Sequence, residues 1–303
     1  MNPLVRWFHQ LGSPPYFDRF AARWAPVSYA LAVLVMAYGL WAALFQVPAD
    51  YQQGDSFRIL YIHVPSAWMS MAVFAAMAFY AAIALIWRIK LCEILAMACA
   101  PVGAAFTVIT LATGSIWGKP MWGTWWDWDP RLTTELILLF LYLGVMGIYA
   151  AIDDRRIAAR AASFLAIVGV VLLPIIRYSV VWWNSLHQGQ TIRMFGESSM
   201  DASMRGPLIW MLVGTHIWFV GQLLARARAD NLRREAGKAC AQHEREDPEH
   251  AAAADRVHCT SRERFGRARA ASRDWRRRAA RSWRRICSRV ETKSQPSTMA
   301  NTA

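Results

Sequence analysis

The chain has 303 residues, is 55% hydrophobic and holds 16 tryptophans, which makes it more apolar than an ordinary soluble domain, where about 45–50% is usual. Its formal charge of +13 sits mostly at one end: residues 226–303 carry 20 Lys+Arg against 10 Asp+Glu, whereas residues 1–225 carry 14 against 11. That distribution argues against a nucleic-acid face on the body of the protein and makes embedding in a membrane the first expectation.

Six apolar runs, approximately 27–47, 64–87, 92–114, 132–152, 161–181 and 207–225, are long enough to cross a hydrocarbon core of about 30 Å as helices. Backbone polar groups in lipid must be satisfied within the segment, so the expected fold is all-α: an integral six-transmembrane-helix bundle with a tryptophan-rich outer loop. Residues 1–26 form an amino-terminal segment with Arg6, Arg19 and Arg23, and the run that follows lacks a small-residue cleavage site, so it reads as an uncleaved first span. Pro101 and Pro174 fall inside the third and fifth runs, where kinks are expected. The domain reading is 1–26 cytoplasmic, 27–225 membrane bundle with the loop at 115–131, and 226–303 a basic cytoplasmic tail. Beyond about Leu232 the tail has too little aliphatic material to offset chain entropy, so disorder or a loose basic helix on anionic lipid is expected.

Cations cluster on alternate connections: Arg88 and Lys90, then Arg155, Arg156 and Arg160, then Arg226 and Arg228. By the positive-inside rule these belong in the cytoplasm with both termini. The connections 48–63, 115–131 and 182–206 then lie outside. Five cysteines, Cys92, Cys99, Cys240, Cys259 and Cys287, include no C-x-x-C pair, so neither a disulfide framework nor a zinc site is implied. C-x-x-C-H is also absent, which excludes covalently held c-type haem by that motif.

The most unusual stretch is Trp117-Gly-Lys-Pro-Met-Trp-Gly-Thr-Trp-Trp-Asp-Trp-Asp-Pro-Arg131. An aromatic belt accounts for Trp24, Trp41, Trp68, Trp87 and Trp218, but it does not require four indoles within residues 122–128. A platform for a flat apolar ligand does, because stacked rings cover apolar faces. The topology places His63, in Tyr61-Ile-His-Val-Pro65, just before the second helix, with Pro65 in its first turn. His187, in Trp182-Trp-Asn-Ser-Leu-His-Gln-Gly189, falls just after the fifth. A lone histidine at an interface is more often structural than a ligand, but two flanking an indole-rich loop are what a six-coordinate haem iron needs. Arg58, Arg131 and Arg177 are candidate partners for propionates, because the guanidinium fork matches a carboxylate. Plainer roles stand beside these. Asp127 and Asp129 suit capping of the fourth helix, Arg177 suits snorkelling, and Glu135 suits the positive helix end. His216, within the sixth run beside Thr215, suits an interhelical hydrogen bond. No Gly-rich phosphate loop, Ser–His–Asp set or H-E-x-x-H motif is present.

The run from Trp117 to Glu135, with His63, His187 and six spans, closely resembles the WWD-motif haem-handling membrane proteins, and within them the CcmC family, haem exporter protein C of bacterial cytochrome c maturation. The likeness covers roughly residues 15–230. It implies transient, non-covalent haem b at the periplasmic face of the inner membrane, with His63 and His187 as axial ligands. The platform it implies is Trp117, Trp122, Trp125, Trp126, Asp127, Trp128, Asp129 and Arg131. It also implies delivery to the haem chaperone CcmE, with the small membrane protein CcmD and the ABC transporter subunits CcmA and CcmB as partners, and no turnover chemistry. Larger WWD relatives, the haem lyase subunits, carry more spans and another histidine pair. The arginine-rich tail after about residue 240 departs from the family pattern. A transporter subunit moving haem across the inner membrane is the alternative, since Pro101 and Pro174 could break helices along a path. A membrane electron-transfer cytochrome with permanently held haem is a third reading, and it would favour histidine pairs buried across the bilayer.

Overall fold

The computed structural model describes residues 14–187 and 200–246, with side chains at 15–187 and 200–235. Arg6, the stretch 188–199 of the third outer connection, and the tail from 247, including its expected disorder, lie outside those residues. Seven helices follow in order: α1 Pro14–Phe45, α2 Leu60–Trp87, α3 Lys90–Trp122, α4 Pro130–Ala151, α5 Arg155–Gly169, α6 Leu172–Trp182 and α7 Ala202–Glu246. A 3-10 turn, Asp55–Ile59, leads into α2. Six segments, with α5 and α6 sharing one, are long and apolar enough to cross a membrane.

Most helices outrun their apolar cores. α1 starts at Pro14 and Pro15, whose fixed φ suits a first turn, so Arg19 and Arg23 are helical. α3 continues for eight residues beyond the predicted span and stops at Gly123, whose φ of 77° supplies the left-handed cap. Trp117 and Trp122 therefore project from a helix, and the true loop is only Gly123 to Asp129. α2 is helical from Leu60 because the 3-10 turn feeds directly into it. His63 thus lies inside α2, and Pro65 stands in the helix interior, where its missing N–H leaves the turn one bond short. The other prolines divide. α3 runs unbroken through Pro101, whereas the fifth span breaks into α5 and α6 at Val170 and Val171, where i→i+3 bonds of 3.3–3.4 Å replace the α pattern ahead of Pro174.

In lipid, helices associate through close packing more than through the hydrophobic effect, and the contacts have that character. α2, α3, α4 and α5 share one core, in which the buried Tyr142 donates to the Ser70 carbonyl at 2.7 Å and packs edge-on to Phe74. Gly103 makes room for that tyrosine: a Cβ there would lie 2.0 Å from its ring. A second cluster joins Ala43 and Val47, within and just beyond the end of α1, to Phe57, Tyr61, Leu208 and Met211. α1 runs along α7, with Gly39 against Trp210 and Gly214 against Met36.

At the end of the bundle remote from His63, Arg228 pairs with Asp18 at 2.8 Å and Arg234 with Glu93 at 2.8 Å. By contact the chain divides into two compact units after Arg234, and the second is described only by the last residues of α7. Residues 233–246 are helical.

Candidate functional site

His63, Ala67 and Met71 on α2, Thr110 and Leu111 on α3, Arg131, Leu132 and Glu135 on α4, and His187 after α6 line one small cleft. Three helices and the chain leaving a fourth thus bring together two imidazoles that are 124 residues apart in sequence.

Each histidine has one ring nitrogen committed. His187 Nδ1 stands 3.1 Å from Asp129 Oδ1. An ionised carboxylate only accepts, so Nδ1 carries the proton and Nε2 keeps its lone pair. Asp129 is buried, and burial alone would raise its pKa. Hydrogen bonds from Ser185, Arg131 N–H and Leu186 N–H, together with His187, hold it below the ordinary carboxylate range. The Arg131 N–H bond, at 2.8 Å, is the N-cap of α4, and the Leu186 N–H bond, also 2.8 Å, ties the His187 segment to the same carboxylate. Asp129 is therefore the capping residue expected and also the partner of a histidine. Burial lowers the His187 pKa against the pull of Asp129, so the ring is neutral at neutral pH.

His63 is oriented the same way. Its Nδ1 lies 3.0 Å from Thr113 Oγ1, and that hydroxyl gives its own proton to the Ile109 carbonyl at 2.7 Å. The threonine oxygen must then accept, and Nε2 of His63 is again the free nitrogen. Gly114 fixes the ring from beside it, since a Cβ there would come within 3.1 Å of His63 Cε1.

The indoles fall into two groups. Trp117 meets His63 edge-on at 5.7 Å and donates to Gln53 Oε1 at 3.0 Å. Trp122 meets His187 edge-on at 4.9 Å. Trp126 and Trp128 form an edge-on pair at 5.5 Å, and Trp125 and Trp128 are 59% and 72% exposed, so the loop presents ring surface to its surroundings. Asp127 is exposed.

The three arginines differ. Arg58 is spent on structure: it donates to the carbonyls of Ala43 and Val47 at the end of α1 and pairs with Asp55. Arg131 lines the cleft, and Arg177 lies within electrostatic reach of it. His216 accepts from Trp68 Nε1 at 3.3 Å across helices and stands apart from the cleft residues. Sequence reasoning missed Thr113, Gly114 and Gln53, none of which belongs to a motif, and gave no role to Ser185 within the Trp182–Gly189 stretch. The one hint was that Thr113 and Trp117 share a helix face at i, i+4.

The profile of the family described as CcmC, Heme exporter protein C, matches residues 7–242. The chain belongs to the CcmC family. It is 53% identical over 207 residues to Heme exporter protein C of Escherichia coli (strain K12), covering 68% of this chain and 83% of the relative. It is 46% identical over 231 residues to the Haemophilus influenzae protein of that name, covering 76% and 94%. A putative cytochrome c biosynthesis ccmC-like mitochondrial protein of Marchantia polymorpha is 38% identical over 208 residues, covering 69% and 88%. As a CcmC-family member the chain is a multi-pass membrane protein that handles haem for cytochrome c maturation, and the family is not a known enzyme family.

Proposed function

We propose that this chain binds haem b transiently and without a covalent bond, through His63 and His187, and passes it to the haem chaperone CcmE. The observation that carries the reading is the matched state of the two imidazoles. Both line one cleft, and each has Nδ1 held by an oxygen acceptor so that Nε2 is available. That is how ligating histidines are oriented by their outer partners, which fix the tautomer and raise basicity. The donor set fits the group: two neutral nitrogens for iron, indole faces for an apolar ring and free cations for carboxylates.

His63 and His187 would hold the iron, and bound haem supplies the redox-active metal centre destined for cytochrome c. Trp117 and Trp122 brace the imidazoles, while Trp125, Trp126 and Trp128, with Asp127 and Asp129, form the platform beside them. Arg131 is the leading propionate partner and Arg177 the second. Arg58 is the weakest of the three, because the Ala43 and Val47 carbonyls and Asp55 take three of its five N–H donors.

Sidedness follows from charge. Arg88 on the connection before α3, Lys90 at the start of α3, and Arg155, Arg156 and Arg160 in the first two turns of α5 lie at the end remote from the cleft, which is the pattern of a cytoplasmic face. The site then faces the periplasm from the inner membrane, with both termini inside, a membrane body over 27–225 and a basic tail after it. CcmD and the transporter subunits CcmA and CcmB complete the assembly. Delivery, with no turnover chemistry, is the role of this chain.

The test is the absorption spectrum of the full chain purified in detergent with added haem. A low-spin bis-imidazole spectrum is expected, and His63→Ala or His187→Ala should each abolish it and block transfer to CcmE. Normal occupancy and transfer in the double variant would refute the reading.

A further inference from the structure

One group in the cleft has no part in the site as described. Glu135 is 5% exposed, and its Oε1 has no hydrogen-bond partner among the described residues. It lines the cleft with His63, Arg131 and His187. The helix-start role does not fit it, because α4 begins at Pro130 and carries no acid in its first turn. The Ser70 side chain bonds the Glu135 carboxyl, which leaves Oε1 as the oxygen without a partner. A buried acceptor left bare is costly, and a bare carboxylate more so. Such a group in a cleft is a candidate for action on what the cleft holds. Arg131, one turn earlier on α4, lines the same cleft and is the cation beside it.

We propose that Glu135 is an electrostatic positioning residue, whose carboxylate stabilises the extra positive charge that ferric haem carries over ferrous, so that the cleft retains the oxidised form and releases the reduced form more readily. The inference rests on the haem reading above and adds the oxidation state to it. The change concerned is one electron at the iron, supplied in the test by a chemical reductant.

The experiment is a potentiometric titration of the haem-loaded full chain in nanodiscs, for wild type, Glu135→Gln and Glu135→Asp. Glu135→Gln keeps the shape and removes the charge. It is expected to keep the bis-imidazole spectrum while ferric-over-ferrous preference falls about tenfold, a one-electron midpoint rise of about 59 mV. That is the size of effect one charge exerts at roughly 10 Å in a medium of effective dielectric constant about 20. Glu135→Asp, which draws the carboxylate back by one methylene, should shift the midpoint the same way by less, and it decides the matter if the glutamine variant fails to fold. An intact spectrum with an unmoved midpoint in whichever variant folds overturns the role of Glu135 alone. A wild-type protein without the bis-imidazole spectrum overturns the haem reading beneath it.

Discussion

Asp129→Asn tests whether one carboxylate both starts α4 and sets the tautomer of His187. The wild-type side chain accepts from Arg131 N–H and His187 Nδ1 on Oδ1 and from Leu186 N–H on Oδ2. A carboxamide has the same outline, but one of its ends donates. With its oxygen at the Oδ1 position it keeps the cap and the histidine but faces Leu186 N–H with another donor, and an amide left without a partner costs about 1–3 kcal/mol. Turned over, it satisfies Leu186, gives up a cap worth about 1 kcal/mol, and presents protons to His187 Nδ1. The ring must then accept at Nδ1 and carry its proton on Nε2, where no lone pair remains for a metal. Both arrangements lose something, so Tm should fall in the haem-free protein. Haem affinity should fall about 10–100-fold, the usual effect of removing the partner of a ligating histidine.

The assay is haem transfer to excess apomyoglobin, with the absorption spectrum read in parallel for loss of the low-spin band. The pH dependence supplies a control. The pKa of Asp129 is depressed in the fold, so its contribution is complete above the ordinary carboxylate range, near pH 4, and is lost only as pH falls through the depressed value. The deficit of the variant should therefore be constant from about pH 6 to 8. A variant that holds haem within about twofold of wild type with an unchanged band would refute the assignment of Asp129 as the partner of His187.

Three further substitutions separate orientation from architecture. Thr113→Val removes the acceptor for His63 Nδ1; haem affinity should drop about 10–100-fold, and Thr113→Ser should restore most of it in the same transfer assay. Gly114→Ala places a methyl group 3.1 Å from His63 Cε1 and should displace the ring, weakening the bis-imidazole spectrum. Helix propensity alone would favour this alanine by about 0.5–1 kcal/mol, so a lost spectrum without a lowered Tm marks displacement of the ligand. Arg58→Ala strips two carbonyls at the end of α1 of their donor and should lower Tm by the loss of about 1–3 kcal/mol. The haem that still binds should show an unchanged spectrum, and a spectrum altered in step with the Tm would contradict a purely structural Arg58.

The six spans were legible because lipid leaves the backbone few options and hydropathy marks the segments that comply. Their ends were not. Helices continue past the hydrocarbon boundary wherever a good start or a missing stop allows, so α3 ran on to Gly123 and carried Trp117 and Trp122 out of the expected loop. Likewise α2 began early enough to take in His63. The histidines, the indole cluster and Asp129 were visible as residue types in an improbable setting. Their pairings were not, because Thr113 to His63 and Asp129 to His187 span 50 and 58 residues, and nothing local records such a contact. Glu135 was seen but given other surroundings: its position near a helix start suggested the dipole, whereas it lines the cleft with residues of α2 and α3. Arg58, a cation beside a motif, gives three of its five N–H donors to Asp55 and to a neighbouring helix end, contacts that no local pattern records.

The last three turns of α3 explain why the site is built on a helix and completed by a loop. Thr113 and Trp117, one turn apart, bear on His63; Gly114 admits the edge of the same ring; Gly118, one turn on, lies against Trp122, which meets His187. One helical segment thus bears directly on His63 and, through Trp122, on His187, which Asp129 at the end of the loop also holds. A loop carrying both tasks would blur the ligand geometry, since supporting groups need to be held to about 0.5 Å. The division leaves Trp125 and Trp128 exposed and free to meet a ring or a partner, while Asp129 pins the far end of the loop to α4 and to His187 at once. Anything that moves the exposed indoles toward a partner therefore pulls on the carboxylate that orients His187 and leaves His63 on its helix. For the haem ligation proposed above, that asymmetry makes His187 the ligand to be loosened first.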